Sequence, residues 1–138
     1  MFKLNEKLAQ DSYIVADLKI SQLLLAKNAN YPWFILVVKK ENLSELIDLT
    51  LEQQIEVLKE INFISKFLKD ELKVDKINVA ALGNIVKQLH IHIIGRFKND
   101  AAFPKPIWCE DKFKEYQKQE LEQLTTKIRT KIDQWLSI

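Results

Sequence analysis

Three observations predict an α+β fold with helices packed on one face of a mostly antiparallel sheet of about five strands. The first third of the 138-residue chain reads as short extended segments divided by turn residues. One long segment then shifts to a helical period. Two more extended segments and a final helical stretch follow. Helices therefore do not alternate with strands, as a doubly wound parallel sheet would require.

Residues 12–18, SYIVADL, alternate loosely and favour a strand, as do 22–26, QLLLA. KNANYP, 27–32, is turn-rich. WFILVVK, 33–39, is a dense run of β-branched and aromatic residues that suits a central strand. Together these three segments predict an antiparallel meander. Thr50 and Gln53 form a capping box ahead of a helix over about 51–72. Its expected core stripe is Leu51, Ile55, Leu58, Ile61, Ile64, Leu68 and Leu72. Strands are expected at 76–83 and 88–97, joined by the short NIVK connection. Two prolines exclude a regular helix or a central strand from 98–108. Asp111 is then expected to cap a C-terminal helix over about 111–136, with Phe113, Tyr116, Leu121, Leu124, Ile128, Ile132 and Trp135 on its buried side.

The bulk numbers bound the rest. The length suits one domain, 1–138, with a core over 12–108. An apolar fraction of 47% and a charged fraction of 29% are those of an ordinary globular chain. A formal charge of +2 argues against nucleic acid or an anionic membrane as partner. The single cysteine, Cys109, excludes an internal disulfide and fits a reducing compartment. The first residues carry charges and no apolar core, so no secretory signal is read there. No apolar run approaches the length of a membrane span, and a cytoplasmic location is expected.

The chain has two histidines, and both fall in QLHIHII, 88–94. Residues two apart on a strand share a face, so Gln88, His90 and His92 point one way, and Leu89, Ile91 and Ile93 point into the core. Paired imidazoles on a sheet face are compatible with an inert surface, a metal site or chemistry. No metal is assigned, because a third histidine is lacking.

The longer segment NVAALGNIVKQLHIHIIGRF resembles the histidine-triad (HIT) superfamily of nucleotidyl hydrolases and transferases. Its signature is H-x-H-x-H followed by two apolar residues. A glycine and a polar residue stand five and four positions before the first histidine, where this chain has Gly83 and Asn84. YPWFILVVKK sits where the family has its proline-containing lead-in to a central strand. AALGN, DAAFPKP and Trp108 are most similar to a small bacterial branch described as diadenosine-tetraphosphate hydrolase-like. The resemblance spans about 12–108.

That resemblance implies an enzyme acting on a nucleotide at its α-phosphate through a nucleotidyl-histidine intermediate. Dinucleoside polyphosphates or nucleoside phosphoramidates are the substrates it suggests. His90 takes the nucleophile's place, since a neutral imidazole can attack phosphorus and split one displacement into two. His92 takes the place of the donor to the phosphate oxygens. Gly83 allows the backbone close to the phosphate, Asn84 contacts it, and Asn28, or else Asn30, meets the ribose. No cofactor is implied, and the family commonly forms homodimers. Trp135 and Leu136 are the residues that hint at a partner here.

Two departures qualify this picture. Gln88 replaces the first histidine of the triad, and an amide can orient its neighbours but cannot shuttle a proton near neutrality. Ile85 replaces a Ser or Thr that assists the leaving group, and such a loss typically lowers rates on the order of a hundredfold. Slow turnover, or a substrate with a good leaving group, is therefore expected. The alternatives are a nucleotide-binding module with little activity and a histidine-based metal-binding or interaction protein. Arg96 is read as a solvated strand end, with phosphate contact as its alternative. Tyr31, Pro32 and Trp33 are read as a structural lead-in or a base pocket.

Overall fold

The computed structural model describes residues 1–138. Its elements run α1 (Glu6–Asp11), β1 (Ser12–Asp17), β2 (Ser21–Ala26), β3 (Trp33–Val38), α2 (Leu51–Asp70), β4 (Lys76–Ala80), β5 (His90–Arg96) and α3 (Lys118–Leu136). Short 3-10 turns lie at Leu46–Asp48 and Ile107–Cys109. The five strands form one sheet in the order β1-β2-β3-β5-β4, and every neighbouring pair is antiparallel. The expected α+β architecture is present. No helix is long and apolar enough to cross a membrane.

Alternation along the strands divides the sheet into two apolar faces. Leu23, Leu25, Phe34, Leu36, Leu89, Ile91 and Ile93 meet α2 and α3 in the larger core. Leu24, Ala26, Ile35 and Val37 face the other way, under Leu8 of α1 and the partly buried Phe2 and Leu4. In the β3–β5 register His90 lies opposite Val37, and His92 opposite Ile35. Directly opposed residues share a face. Both imidazoles therefore project from the side that α2 leaves open.

α2 opens with the Thr50–Gln53 capping box in full. Its core-facing residues, however, are Val57, Glu60, Ile64, Phe67 and Leu68. Leu51, Ile55 and Leu58 are exposed. Steps of three and four can drift around a helix with 3.6 residues per turn, and the expected stripe joined two different sides. Glu60 is buried on this side, which its charged side chain does not announce in the sequence. Its Oε2 accepts from the Ile20 amide, and burial raises its carboxyl above the usual range.

α3 also begins later than expected. Asp111 caps nothing, and Gln117 occupies the N-cap. The Asn28 and Asn30 side chains donate to Lys112 O, the Lys114 amide donates to Asn28 Oδ1, and Lys114 O accepts from the Ala29 amide. These bonds hold the segment before α3 against the β2–β3 turn. Trp135 stacks on Phe63 of its own chain, with ring centroids 4.3 Å apart. The two last strands are shorter than read, and 81–89 forms a longer connection around the site.

Two features hold β5 in place. Gly95 lies so close to its neighbours that an added Cβ would come within 2.5 Å of Val74 Cγ1 and 2.8 Å of Pro32 Cγ. Arg96 is neither solvated nor free for phosphate, because it is 1% exposed. Its guanidinium donates to both Asp100 oxygens, at 2.8 and 3.0 Å, and to Asn78 Oδ1 at 2.9 Å. Tyr31 and Phe103 lie about the same ion, with ring centroids 5.6 and 5.5 Å from its carbon. Burial pushes the Asp100 carboxyl up, but bonds from Arg96 and from the Phe103 and Phe97 amides outweigh it and hold it below the usual range. Asp100 thereby folds the 97–103 loop, which leads to Trp108 over the site.

Candidate functional site

A cleft of about 650 Å³ opens on the face that carries the imidazoles. Lys7, Leu8, Gln10 and Asp11 of the α1 region form one wall. Ala26, Lys27 and Asn28 from the end of β2 and Ile35 of β3 line its floor and side. The 82–86 segment and the aromatic pair Trp108 and Phe113 complete its rim. His90 and His92 are each 7% exposed, yet both rings line the cleft. Their centroids lie 5.0 Å apart with the planes steeply crossed.

The hydrogen-bond partners decide the tautomer of each ring. His90 Nδ1 is 2.6 Å from the backbone oxygen of Gln88. A carbonyl oxygen can only accept, so Nδ1 carries the proton and donates it. The His90 Nε2 lone pair is then free. His92 Nδ1 lies 2.9 Å from Trp33 Nε1. An indole N–H can only donate, so this nitrogen is bare and the neutral ring carries its hydrogen on Nε2. One imidazole thus presents a nucleophilic nitrogen, and its neighbour presents a donor. Trp108 packs edge-on against His92 at 5.1 Å and against Trp33 at 6.4 Å, closing the aromatic frame.

Burial, and next the proximity of His90, lower the His92 pKa to about 4. The ring therefore stays neutral through the physiological range and donates without first losing a proton. No third His, Cys, Asp or Glu joins the two imidazoles in a metal-holding group.

The other expected site residues are placed unequally. Gly83 and Asn84 line the cleft, and Asn84 is exposed at its rim. Gly83 has φ +68°, a left-handed conformation that disfavours a side chain although there is room for one. Asn28 lines the cleft, but its amide is already engaged with Asn30, Lys112 and Lys114. Asn30 is not part of the lining. Ile85 is 84% exposed at the rim and offers no hydroxyl there. The Gln88 side chain is not among the lining groups; its amide bonds to Lys3 O and the Asn5 amide instead. Trp33's bond to His92 and the α1 wall had no signal in the sequence, because both depend on contacts between distant segments. Phe113 lines the cleft rather than a buried helix stripe, because α3 begins only at Lys118.

The profile of the HIT domain family matches residues 7–99, well over half of the chain. The chain belongs to the HIT family. Solved HIT structures agree. A histidine triad protein from Bradyrhizobium japonicum is 40% identical with a TM-score of 0.92, over 95% of this chain and 98% of that one. A second, from Marinobacter aquaeolei, is 34% identical with a TM-score of 0.92, over 97% and 98%. A third, from Sinorhizobium meliloti, is 33% identical with a TM-score of 0.90, over 94% and 96%. No curated protein matches the chain significantly.

The depressed His92 pKa has a measurable consequence for this HIT domain. The unfolded imidazole takes up its proton near pH 6.5, whereas the native ring resists until about 4. Native stability is full above that window and falls as pH drops through it, by up to about 3 kcal/mol. Urea midpoints at pH 7 and pH 4.5 should therefore drop more for wild type than for His92→Asn. Equal drops would show that the ring titrates normally in the fold.

Proposed function

We propose that this HIT domain is a nucleotide hydrolase or nucleotidyl transferase that forms a nucleotidyl-histidine at His90. The observation that carries this reading is the opposed pair of tautomers: a bare Nε2 on His90 beside a donor Nε2–H on His92, both lining one cleft. His90 Nε2 attacks the α-phosphorus, the bond to the leaving group breaks, and a phosphorus–nitrogen bond takes its place. As attack proceeds, His92 Nε2–H stabilises the charge on a non-bridging oxygen. Water then attacks the adduct, releases the nucleoside monophosphate and restores the imidazole; an alcohol or amine in its place would make the reaction a transfer. The Gln88 carbonyl keeps the nucleophile's other nitrogen protonated and supports it as positive charge develops on the ring.

The remaining assignments follow the cleft. Gly83 and Asn84 would take the phosphates, Asn28 the ribose edge, and the apolar surface of Ala26, Ile35 and the wall residue Leu8 the base. Ile85 supplies no hydroxyl to the departing group, which favours leaving groups that depart unaided. A dinucleoside polyphosphate, whose leaving group is itself a nucleotide, meets that requirement better than an amine. Any amine released from a phosphoramidate must obtain its proton from solvent or substrate.

Radiolabelled dinucleoside polyphosphates and nucleoside phosphoramidates, quenched in alkali, test the reaction. Wild type is expected to give product and an acid-labile protein adduct, with His90→Ala losing the adduct and at least roughly a thousandfold in rate. Binding of nucleoside monophosphates without turnover or adduct would leave a binding module and refute the enzyme.

The proposed assembly is a homodimer. β4 is an edge strand with one side unpaired, and Leu51, Ile55 and Leu58 present an exposed apolar line on α2. Analytical sedimentation at micromolar concentration should give twice the chain mass, and a monomer there would contradict the assembly.

A further inference from the structure

The side chain of Gln88 occupies the first triad position, yet it turns away from the chemistry. Its Oε1 accepts from the Asn5 amide at 2.8 Å, and its Nε2 donates to Lys3 O at 2.9 Å. These bonds join the residues just before β5 to a segment more than eighty residues away in sequence. A carboxamide carries its donor and acceptor on one planar end, as a peptide group does, and so can bond on either side of Leu4 at once. An imidazole has its two nitrogens on different ring edges and cannot serve both Lys3 O and the Asn5 amide from this position.

The segment so held is the wall of the cleft. Asn5 is the N-cap of α1, and its side chain accepts from the Lys7 and Leu8 amides. Lys7, Leu8, Gln10 and Asp11 of this arm line the cleft. α1 has six residues, far too few to persist without tertiary ties. At its C-terminal end the Lys27 amide donates to Asp11 O, and toward its N-terminal end it is tied by the buried Leu8, by the partly buried Phe2 and Leu4 packed against the same apolar cluster, and by the Gln88 amide. The same residue's carbonyl receives the His90 Nδ1 hydrogen. One residue thus sets the nucleophile with its main chain and the cleft wall with its side chain.

We propose that Gln88 is a positioning residue that latches the N-terminal arm, residues 1–11, as a wall of the nucleotide cleft. Position 88 accordingly governs nucleotide affinity and has no part in proton transfer. Placing the family's histidine there does not restore lost catalysis; it releases the wall. The affinity statement rests on the nucleotide reading above, whereas the latch itself does not.

The experiment compares full-length wild type with Gln88→His, Gln88→Ala and the near-isosteric Gln88→Glu. Glutamate keeps the acceptor for the Asn5 amide but sets a negative oxygen against Lys3 O. Native-state hydrogen exchange reads the arm, and kinetics on a dinucleoside polyphosphate read the site. The latch predicts exchange at Asn5–Ala9 at least roughly tenfold faster in Gln88→His and Gln88→Ala, with a smaller increase in Gln88→Glu. It predicts a KM raised by roughly tenfold or more in Gln88→His, with no gain in kcat.

A kcat raised in Gln88→His with unchanged arm exchange would identify position 88 as a lost proton-transfer site and overturn the proposal. Unchanged exchange in all three variants would overturn it equally. Failure of wild type to bind adenosine monophosphate by calorimetry would sink the nucleotide reading instead. The exchange comparison would still decide the latch, and Gln88→Glu decides it if the other two variants do not fold.

Discussion

Trp33 Nε1 has a hydrogen to give and no lone pair to offer, so the His92 nitrogen 2.9 Å from it must be bare. The rest of the site depends on this constraint. It sends the His92 hydrogen to the opposite edge of the ring, and protonation of the ring would set two N–H groups against each other. The Gln88 carbonyl imposes the mirror constraint on His90. Two chemically identical side chains, two residues apart, thereby turn a bare Nε2 and an Nε2–H toward the cleft without any charged residue between them. In the proposed reaction, anion stabilisation would come from an oriented neutral donor in a buried setting, where a hydrogen bond is stronger than in water.

The fold holds those two acceptor–donor pairs in register. Trp33 sits on β3 two residues from Ile35, the cross-strand partner of His92, so the β3–β5 ladder fixes the approach of the indole. Gly95 lets β5 pack closely against Pro32 and Val74, just before Trp33. Arg96 and Asp100 fold the loop that returns Ile107 to the small apolar cluster of Tyr31, Ile94 and Ala102. Trp108 follows directly and closes on His92. Removing Asp100 would leave a guanidinium buried and unpaired, which typically costs several kcal/mol. The aromatic frame around the imidazoles would loosen with that loop.

Much of this was legible, and the limit has a physical form. Local signals placed β1, β2 and β3 within a residue or so of their true ends, and the Thr50–Gln53 box marked the start of α2. Period-two alternation put His90 and His92 on one face, opposite Ile91 and Ile93. What stayed hidden rests on contacts between distant segments. α1 is a six-residue helix held by Gln88 and Leu8 rather than by its own propensity. Arg96 looked solvated because its partners, Asp100 and Asn78, come from a loop and a neighbouring strand. Asp111 looked like a cap because nothing local reveals that Asn28 and Asn30 hold Lys112. The apolar line at Leu51, Ile55 and Leu58 looked like core because spacing alone does not say which side of a helix meets the sheet.

The opposed tautomers are directly observable, since protonated and bare ring nitrogens resonate in well-separated ¹⁵N regions. In uniformly ¹⁵N-labelled wild type at pH 7, the account requires the hydrogen on Nδ1 of His90 and on Nε2 of His92. In Trp33→Phe, which keeps an aromatic ring and removes the donor, His92 alone should lose its single tautomer. A wild-type spectrum with His92 protonated on Nδ1, or on both nitrogens, would contradict the account at its base.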